Sequence, residues 1–295
     1  MRHIYIISIF FFSCAIEPPD LEWEDVTSDH ESTLNIIGLL STDSLRTSFV
    51  KVQRTLDMEE ASDSLIRDTI GSSIYIYYAS RFIVRNAEVV VSNGVKDYIF
   101  DYTDFIYDVD MDKALQEVYI YNGNDLNPQP GETWTLHVSA PGGFEATGQT
   151  IIPPTPKLFT ENLPDTFQVF REMEMSWLTM NDNYQLINSA HLGPWDSYLC
   201  GINQEHIISP EESSATFRRE WCDSEFDDPS WDNYLLFFSL MSMDENYFNY
   251  FIKYSDSEFT SSFGSGGSGR SFGVNGGIGV FGSVAADRHS MIMIP

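Results

Sequence analysis

The chain is poor in cationic residues. Only 16 of its 295 residues are Lys or Arg, against 44 Asp and Glu, so its formal net charge is −28 at pH 7. Proteins that bind nucleic acid neutralise phosphate groups with Lys and Arg, so this imbalance excludes nucleic acid as a partner. The same charge predicts repulsion from anionic membrane surfaces. The acidity does not indicate disorder. Hydrophobic residues make up 42% of the chain and charged residues only 20%, which is a composition that can bury a core.

Histidine and cysteine are also scarce. The six His residues are scattered without a second His or Cys at ligand spacing, so the sequence offers no transition-metal site. Of the three cysteines, Cys200 and Cys222 lie 22 positions apart and could form a disulfide in an oxidising compartment. Two buried free thiols are the alternative. A metal pair lacks further ligands nearby.

Long apolar runs are missing too, because residues 4–12 form an apolar run of only nine residues. A membrane-spanning helix needs roughly 20, so this run fits the core of a secretory signal instead. It is followed by Ser13 and Cys14, an arrangement that resembles the lipidation motif of bacterial lipoproteins. We therefore expect a signal peptide at residues 1–13 and lipid on Cys14. An ordinary signal with an incidental cysteine is the alternative.

The mature chain would begin with an acidic tether. Residues 14–30 contain two adjacent prolines, several carboxylates and almost no apolar periodicity, which predicts an extended segment between a lipid anchor and a folded body. From residue 31 to residue 156, short runs alternate polar with β-branched or aromatic residues, and turn pairs separate them. This pattern predicts an Ig-like or transthyretin-like β-sandwich. Residues 56–69 are expected to form a loop with a helical turn, and residues 101–112 an acidic loop.

A proline-rich segment at residues 151–156 predicts the internal boundary, since proline cannot donate to a sheet ladder. A second antiparallel β domain is expected at residues 157–295, with a cysteine-containing insertion and a Gly-rich tail. The fold class is therefore all-β. The apolar stretch at residues 234–254 is interrupted by three polar residues, so it predicts a strand that leads into a short helix.

Candidate site residues are few. Asp108, Asp110 and Asp112 begin like a calcium-binding loop, although the Gly and the final Glu of that motif are missing. A looser calcium site there is an alternative to a solvated acidic loop, and no other cofactor is expected. Trp221 and Trp231 stand among charged residues, so they are candidates for partner binding, whereas most aromatic residues belong to a core.

Several segments resemble one family, the Bacteroidota-type outer-membrane lipoproteins known as domain of unknown function 4249. The resemblance covers most of the mature chain, and the segment at residues 274–283 (VNGGIGVFGS) is similar to the most distinctive motif of the family. The similar segments are residues 34–43, 50–55, 86–94, 130–156 and 274–283.

The resemblance implies an all-β lipoprotein without established activity, whose genes often lie beside TonB-dependent receptors. We therefore expect a non-catalytic accessory or binding protein, anchored to the outer membrane by lipid on its periplasmic or cell-surface side. Its expected partner is an outer-membrane receptor or transporter. Two alternatives stay open: an envelope hydrolase that uses loop carboxylates, and a purely structural or adhesive surface module.

Overall fold

The computed structural model is nearly all β-structure, with one short α-helix. The expected all-β fold class is therefore confirmed, and the large sheet is compatible with a β-sandwich. The structure describes residues 31–57, 59–70, 73–108, 113–161, 163–180, 184–192, 199–202, 205–221, 234–254 and 269–294.

Nine strands precede the proline-rich segment, and alternation of apolar and polar residues explains them. In β8, for example, Trp134, Leu136 and Val138 point inward while the residues between them are exposed. The strands are β1 (Leu34–Ser41), β2 (Phe49–Arg54), β3 (Asp63–Ile70), β4 (Ser73–Ser80), β5 (Glu88–Ser92), β6 (Asp97–Asp108), β7 (Lys113–Ile120), β8 (Thr133–Ala140) and β9 (Phe144–Ile151).

The remaining elements follow the proline-rich segment. They are β10 (Thr166–Gln168), β11 (Glu172–Ser176), β12 (Tyr184–Leu192), β13 (Leu199–Ile202), β14 (Glu205–Ile208), β15 (Ser214–Trp221), β16 (Tyr234–Met243), α1 (Glu245–Phe248), a π-helical segment (Asn249–Lys253), β17 (Ser271–Phe272), β18 (Val274–Asn275) and β19 (Gly277–Ile294). The predicted strand followed by a short helix is confirmed by β16 and α1.

Fourteen strands form one large sheet. Twelve of them follow the order β14-β12-β16-β19-β1-β2-β7-β6-β5-β8-β9-β18, and β10 and β17 also pair with β19. A second sheet has the order β11-β15-β13, and β3 pairs with β4 in a separate hairpin. Most strand pairs of the expected second antiparallel β domain are antiparallel. The large sheet is mixed, because β19 lies parallel to β1, β10 and β17.

The last strand, β19, pairs with the first described strand, β1. Its first half pairs with β1 from Leu34–Gly277 to Ser41–Val284, and its second half pairs with β16. Gly279 is required for the first pairing, because its φ is +112° and a Cβ atom there would lie 1.9 Å from the carbonyl oxygen of Ile36. The boundary predicted at residue 156 stays a prediction. One sheet contains strands from both sides of it.

Three apolar cores lie along this sheet. The N-terminal core includes Val52, Val89, Phe100, Trp134 and Leu136, and it also receives Phe281 from β19. The C-terminal core includes Phe167, Trp177, Phe217, Phe238 and Met291. A middle core lies between them and includes Leu39, Phe49, Met241, Tyr247 and Val280. The middle core combines β1, β2, β16, α1 and β19, so it packs the first and the last described strands against each other.

Two loop predictions were wrong. Residues 56–69 were expected to form a loop with a helical turn, but residues 63–70 form β3, because Leu65 and Ile66 face an apolar partner strand in register with them. Residues 101–112 were expected to form an acidic loop, but β6 continues to Asp108 and pairs with β7. Cross-strand pairing outweighs the low strand propensity of aspartate at these positions.

Candidate functional site

The junction between β16 and α1 begins at Asp244. The strand ends at Met243, and Asp244 adopts an extended backbone while its side chain accepts a hydrogen bond from the backbone N–H of Tyr247 at 2.9 Å. Aspartate is among the best N-cap residues because its carboxyl group satisfies a backbone donor that has no partner within the helix. Local sequence therefore explains why the helix starts at this point.

The carboxyl group of Asp244 also binds two other strands. Its Oδ1 accepts a second hydrogen bond from the backbone N–H of Ser283 in β19 at 3.1 Å. Its Oδ2 lies 2.6 Å from Oγ1 of Thr150 in β9. Because Asp244 is only 9% exposed, this carboxyl group connects β9, α1 and β19 almost entirely out of water.

A line of short oxygen–oxygen contacts continues from this carboxyl group. Asp244 Oδ2 lies 2.6 Å from Thr150 Oγ1, which lies 2.8 Å from Ser283 Oγ, which lies 3.0 Å from the carbonyl oxygen of Ile151. Three such contacts need three protons. When Asp244 is ionised, Thr150 donates to its Oδ2 and Ser283 donates to Ile151, so the contact between Thr150 and Ser283 has no proton. A protonated Asp244 supplies the missing proton and lets Thr150 donate to Ser283. The geometry therefore fits a neutral carboxyl group whose Oδ1 accepts and whose Oδ2 donates.

The burial of Asp244 also favours the neutral form of its carboxyl group. Burial raises the pKa of Asp244 from 3.8 to about 6, and the hydrogen bonds from Thr150, Tyr247 and Ser283 oppose this increase without cancelling it. Asn246 strengthens the same region, since its Nδ2 donates to the carbonyl oxygens of Gln149 at 2.9 Å and of Phe281 at 3.0 Å. We call Thr150, Asp244, Asn246 and Ser283 the Asp244 junction.

An open groove of about 580 Å³ lies beside the Asp244 junction. We call it the proline-lined groove. Its walls include Pro130, Pro153, Pro154, Tyr184, Asp244 and Glu245. The Tyr184 ring, 39% exposed, stacks on Phe248 with their centroids 3.8 Å apart and their planes 4° apart. This pairing fixes an aromatic surface at one side of the groove.

Hydrogen-bond acceptors outnumber donors in the groove. Its three prolines have no N–H group, and the N–H groups of Gly131 and Ile152 are already bonded to the carbonyl oxygens of Ile152 and Glu132. The groove has two carboxyl groups, those of Asp244 and Glu245, and Glu245 is the exposed one. An aromatic face beside a free carboxylate is suited to a cationic group with an apolar stem.

The residues singled out from the sequence lie elsewhere. Asp108 ends β6, and Trp221 ends β15, where its backbone pairs with Leu199. Cys200 lies in β13 opposite Glu220. Cys14, Asp110, Asp112, Cys222 and Trp231 lie outside the described residues, so the lipid anchor, the disulfide and the calcium site stay predictions.

In the described ranges, no group of three or more His, Cys, Asp or Glu side chains is arranged to hold a metal ion. Within the same ranges, no helix is long and apolar enough to cross a membrane.

Sequence reasoning missed the residues of this site. Asp244 and Glu245 were treated only as an interruption of an apolar stretch, although an aspartate between a strand and a short helix is an N-cap signal. Thr150 and Ser283 carry no local signal, because they lie 94 and 39 positions from Asp244 and meet it only through the sheet.

Comparison with known proteins adds no relative. No family model matches the chain, and a search of curated proteins finds no match. The resemblance to the outer-membrane lipoprotein family therefore stays a prediction.

Proposed function

We propose that this protein is a non-catalytic binding protein of the bacterial outer membrane. In this proposal, lipid on Cys14 anchors it, a disulfide between Cys200 and Cys222 stabilises its insertion, and a TonB-dependent receptor is its partner. The proline-lined groove binds a cationic, partly apolar group of that receptor or of the substrate it takes up. The composition of the groove is the single observation that carries the proposal.

The state of the two groove carboxyl groups favours binding over hydrolysis. Asp244 holds three groups of the protein, Thr150, Tyr247 and Ser283, so its oxygens are already engaged. Glu245 is exposed and is the carboxylate available to a ligand. A glycoside hydrolase uses two carboxyl groups that act on opposite sides of one bond, and two adjacent residues with such different surroundings do not fit that arrangement.

Charge supports a cationic ligand at longer range. The chain has a net charge of −28, so its field raises the local concentration of basic partners and disfavours acidic ones. At the groove itself, the Tyr184 face would contact the apolar stem of the ligand and Glu245 would pair with its charge. This combination gives specificity for an arginine-like or lysine-like group without any chemical step.

Affinity purification of the intact tagged lipoprotein from the membranes of its own bacterium tests the proposal. We expect an outer-membrane receptor to co-purify with the unmodified protein and to be lost from the Glu245→Lys variant. Glu172→Lys is the matched control, because it makes the same charge change at an exposed glutamate of β11. Mass spectrometry of the N-terminal peptide measures lipid on Cys14.

Two results would contradict the proposal in different ways. Recovery of no outer-membrane receptor with the unmodified protein would refute the accessory function. Equal recovery with Glu245→Lys and Glu172→Lys would leave the receptor as a partner but remove the proline-lined groove as its binding site.

A further inference from the structure

The hairpin formed by β3 and β4 is separate from the two larger sheets. Within the described residues, its strands pair only with each other, from Asp63–Ser80 to Ile70–Ser73. An isolated two-stranded hairpin is marginally stable in water, and both of its backbone edges lack a third strand. The hairpin therefore needs another surface more than any other part of the described sheet structure does.

One face of this hairpin is apolar and exposed. Leu65 pairs with Tyr78 and Arg67 pairs with Ile76, and Ile74 follows on the same side of β4. The exposed fractions are 63% for Leu65, 52% for Ile74, 64% for Ile76 and 77% for Tyr78. We call these four residues and Arg67 the hairpin face. Contiguous exposed apolar residues of this kind mark a contact surface.

The chain enters the folded body beside this hairpin. Thr33 and Thr55 bond to each other through their backbones at 2.8 Å, and Thr33 N–H also donates to Thr55 Oγ1 at 2.9 Å. One residue away, Arg54 N–H donates to the carbonyl oxygen of Phe82, just after β4. The first described residues therefore lie at the base of the hairpin, next to the predicted tether.

The length of the tether is compatible with contact between the hairpin and the membrane. Residues 14–30 are 17 residues that would span at most about 60 Å when extended. The hairpin itself, with eight residues in each strand, is about 26 Å long. A lipid anchor at Cys14 thus holds the hairpin face near one membrane at high effective concentration, so even a weak contact would be populated.

The chemistry of the hairpin face suits a phospholipid surface. None of its five residues is acidic, and the exposed acid on the same side of β3, Asp63, lies at the end of the hairpin farthest from Ile74. Tyr78 and Arg67 have apolar bodies and polar ends, which is the combination found where hydrocarbon meets phosphate groups. In the described part of the chain no third strand pairs with β3 or β4, and such backbone edges exclude deep insertion, because unpaired N–H and C=O groups are too costly in hydrocarbon. The contact must therefore stay at headgroup depth.

A second copy of the chain is a poorer occupant. Face-to-face pairing about a two-fold axis would bring two Arg67 side chains near each other at the centre of the contact, and like charges that face each other destabilise it.

We propose that the hairpin face lies on the phospholipid headgroups of the membrane that holds the lipid anchor, with Arg67 paired to lipid phosphate. This inference rests on the lipid anchor of the proposed function. The proposal adds an orientation of the protein, because it places the hairpin of β3 and β4 against the membrane.

Site-specific labelling of the intact lipoprotein tests this orientation. Ile76→Cys is labelled with a polarity-sensitive fluorophore and reconstituted into zwitterionic vesicles of phosphatidylcholine and phosphatidylethanolamine. Val95→Cys is the control, because Val95 is 94% exposed in the turn between β5 and β6. Unsubstituted protein treated with the same reagent measures labelling of the native cysteines, and its signal is subtracted.

We expect a blue shift and quenching by spin-labelled lipid at position 76 in vesicles, relative to detergent, and neither change at position 95. Equal signals at both positions, on protein whose Cys14 is shown by mass spectrometry to carry lipid, would overturn the inference and leave the proposed function intact. Shielding of position 76 in native outer membranes but not in lipid vesicles would also overturn it, because a protein would then cover the face. Absence of lipid on Cys14 would remove the anchor and both proposals that use it.

Discussion

The Asp244 junction buries polar side chains, whereas the hairpin face exposes apolar ones. At the junction, a potentially charged side chain is buried and each of its oxygens has a partner within the protein. On the hairpin, large apolar side chains are exposed and β3 and β4 pair only with each other in the described structure. Polar burial thus fastens distant strands together, whereas apolar exposure leaves a surface for something outside the chain.

Stability is therefore expected to depend on the Asp244 junction, and contact with other molecules on the hairpin face. Removing the carboxyl group from the Asp244 junction should weaken the whole fold, because Thr150, Tyr247 and Ser283 would each lose a hydrogen-bond partner. Removing a group from the hairpin face should leave the fold unchanged and affect only what the face touches. Variants of Asp244 test the junction, and a variant of Ile76 tests the hairpin face.

The largest effect is expected from Asp244→Ala. This change leaves the backbone N–H groups of Tyr247 and Ser283 without their acceptor and removes the hydrogen-bond partner of the Thr150 hydroxyl. An unsatisfied buried donor costs about 1–3 kcal/mol, and loss of an N-cap costs about 1 kcal/mol. We expect the free energy of unfolding at pH 5 to fall by about 3–5 kcal/mol in a urea titration.

Asp97→Ala provides the control for this loss, since Asp97 is exposed at the start of β6. Its effect should stay within about 0.5 kcal/mol, as for other surface substitutions. A similar small loss for Asp244→Ala would mean that the junction does not fasten the strands.

The next effect concerns pH and uses Asp244→Asn. The pKa of Asp244 is raised from 3.8 to about 6, so its protonation stabilises the fold fully below pH 3.8 and this stabilisation is lost as the pH rises through about 6. The difference is worth about 3 kcal/mol. Asparagine reproduces the neutral hydrogen-bond pattern, with Oδ1 accepting and Nδ2 donating to Thr150, and it does not titrate.

Urea titrations of both proteins between pH 4 and pH 8 measure this effect. We expect nearly equal stability at pH 4, an advantage for Asp244→Asn that grows up to pH 6, and a constant advantage of about 3 kcal/mol above pH 7. All other carboxyl groups are common to the two proteins and cancel in the difference. A difference that does not change with pH would show that Asp244 does not titrate as proposed.

The predictability of the fold differs between local and distant features. The alternation in β8 and the polar break at Asp244 were sufficient to predict strands and the strand–helix step. The pairing of β1 with β19 was not predictable, because Leu34 and Gly277 lie 243 positions apart and only the assembled sheet brings them together. The aspartates of β6 favoured a solvated loop in the sequence, but the strand that contains them pairs with β7.

The candidate site was less predictable than the fold. Local sequence marks Asp244 as an N-cap, but the burial that raises its pKa comes from β9 and β19. The position of the Tyr184 ring beside the groove is fixed by stacking on Phe248, which belongs to another element. Sites built from single residues on several strands leave no compact motif in a sequence.

The smallest effect is expected on the hairpin and tests the exposed side of the comparison. Ile76→Ala removes apolar atoms that are 64% exposed, so the free energy of unfolding in solution should change by less than about 0.5 kcal/mol. Ile36→Ala is the matched control, because Ile36 is fully buried in β1 and its truncation should cost about 2–5 kcal/mol. A comparable loss for Ile76→Ala would mean that the hairpin face already packs within the chain, and its exposure could then no longer be assigned to an external contact.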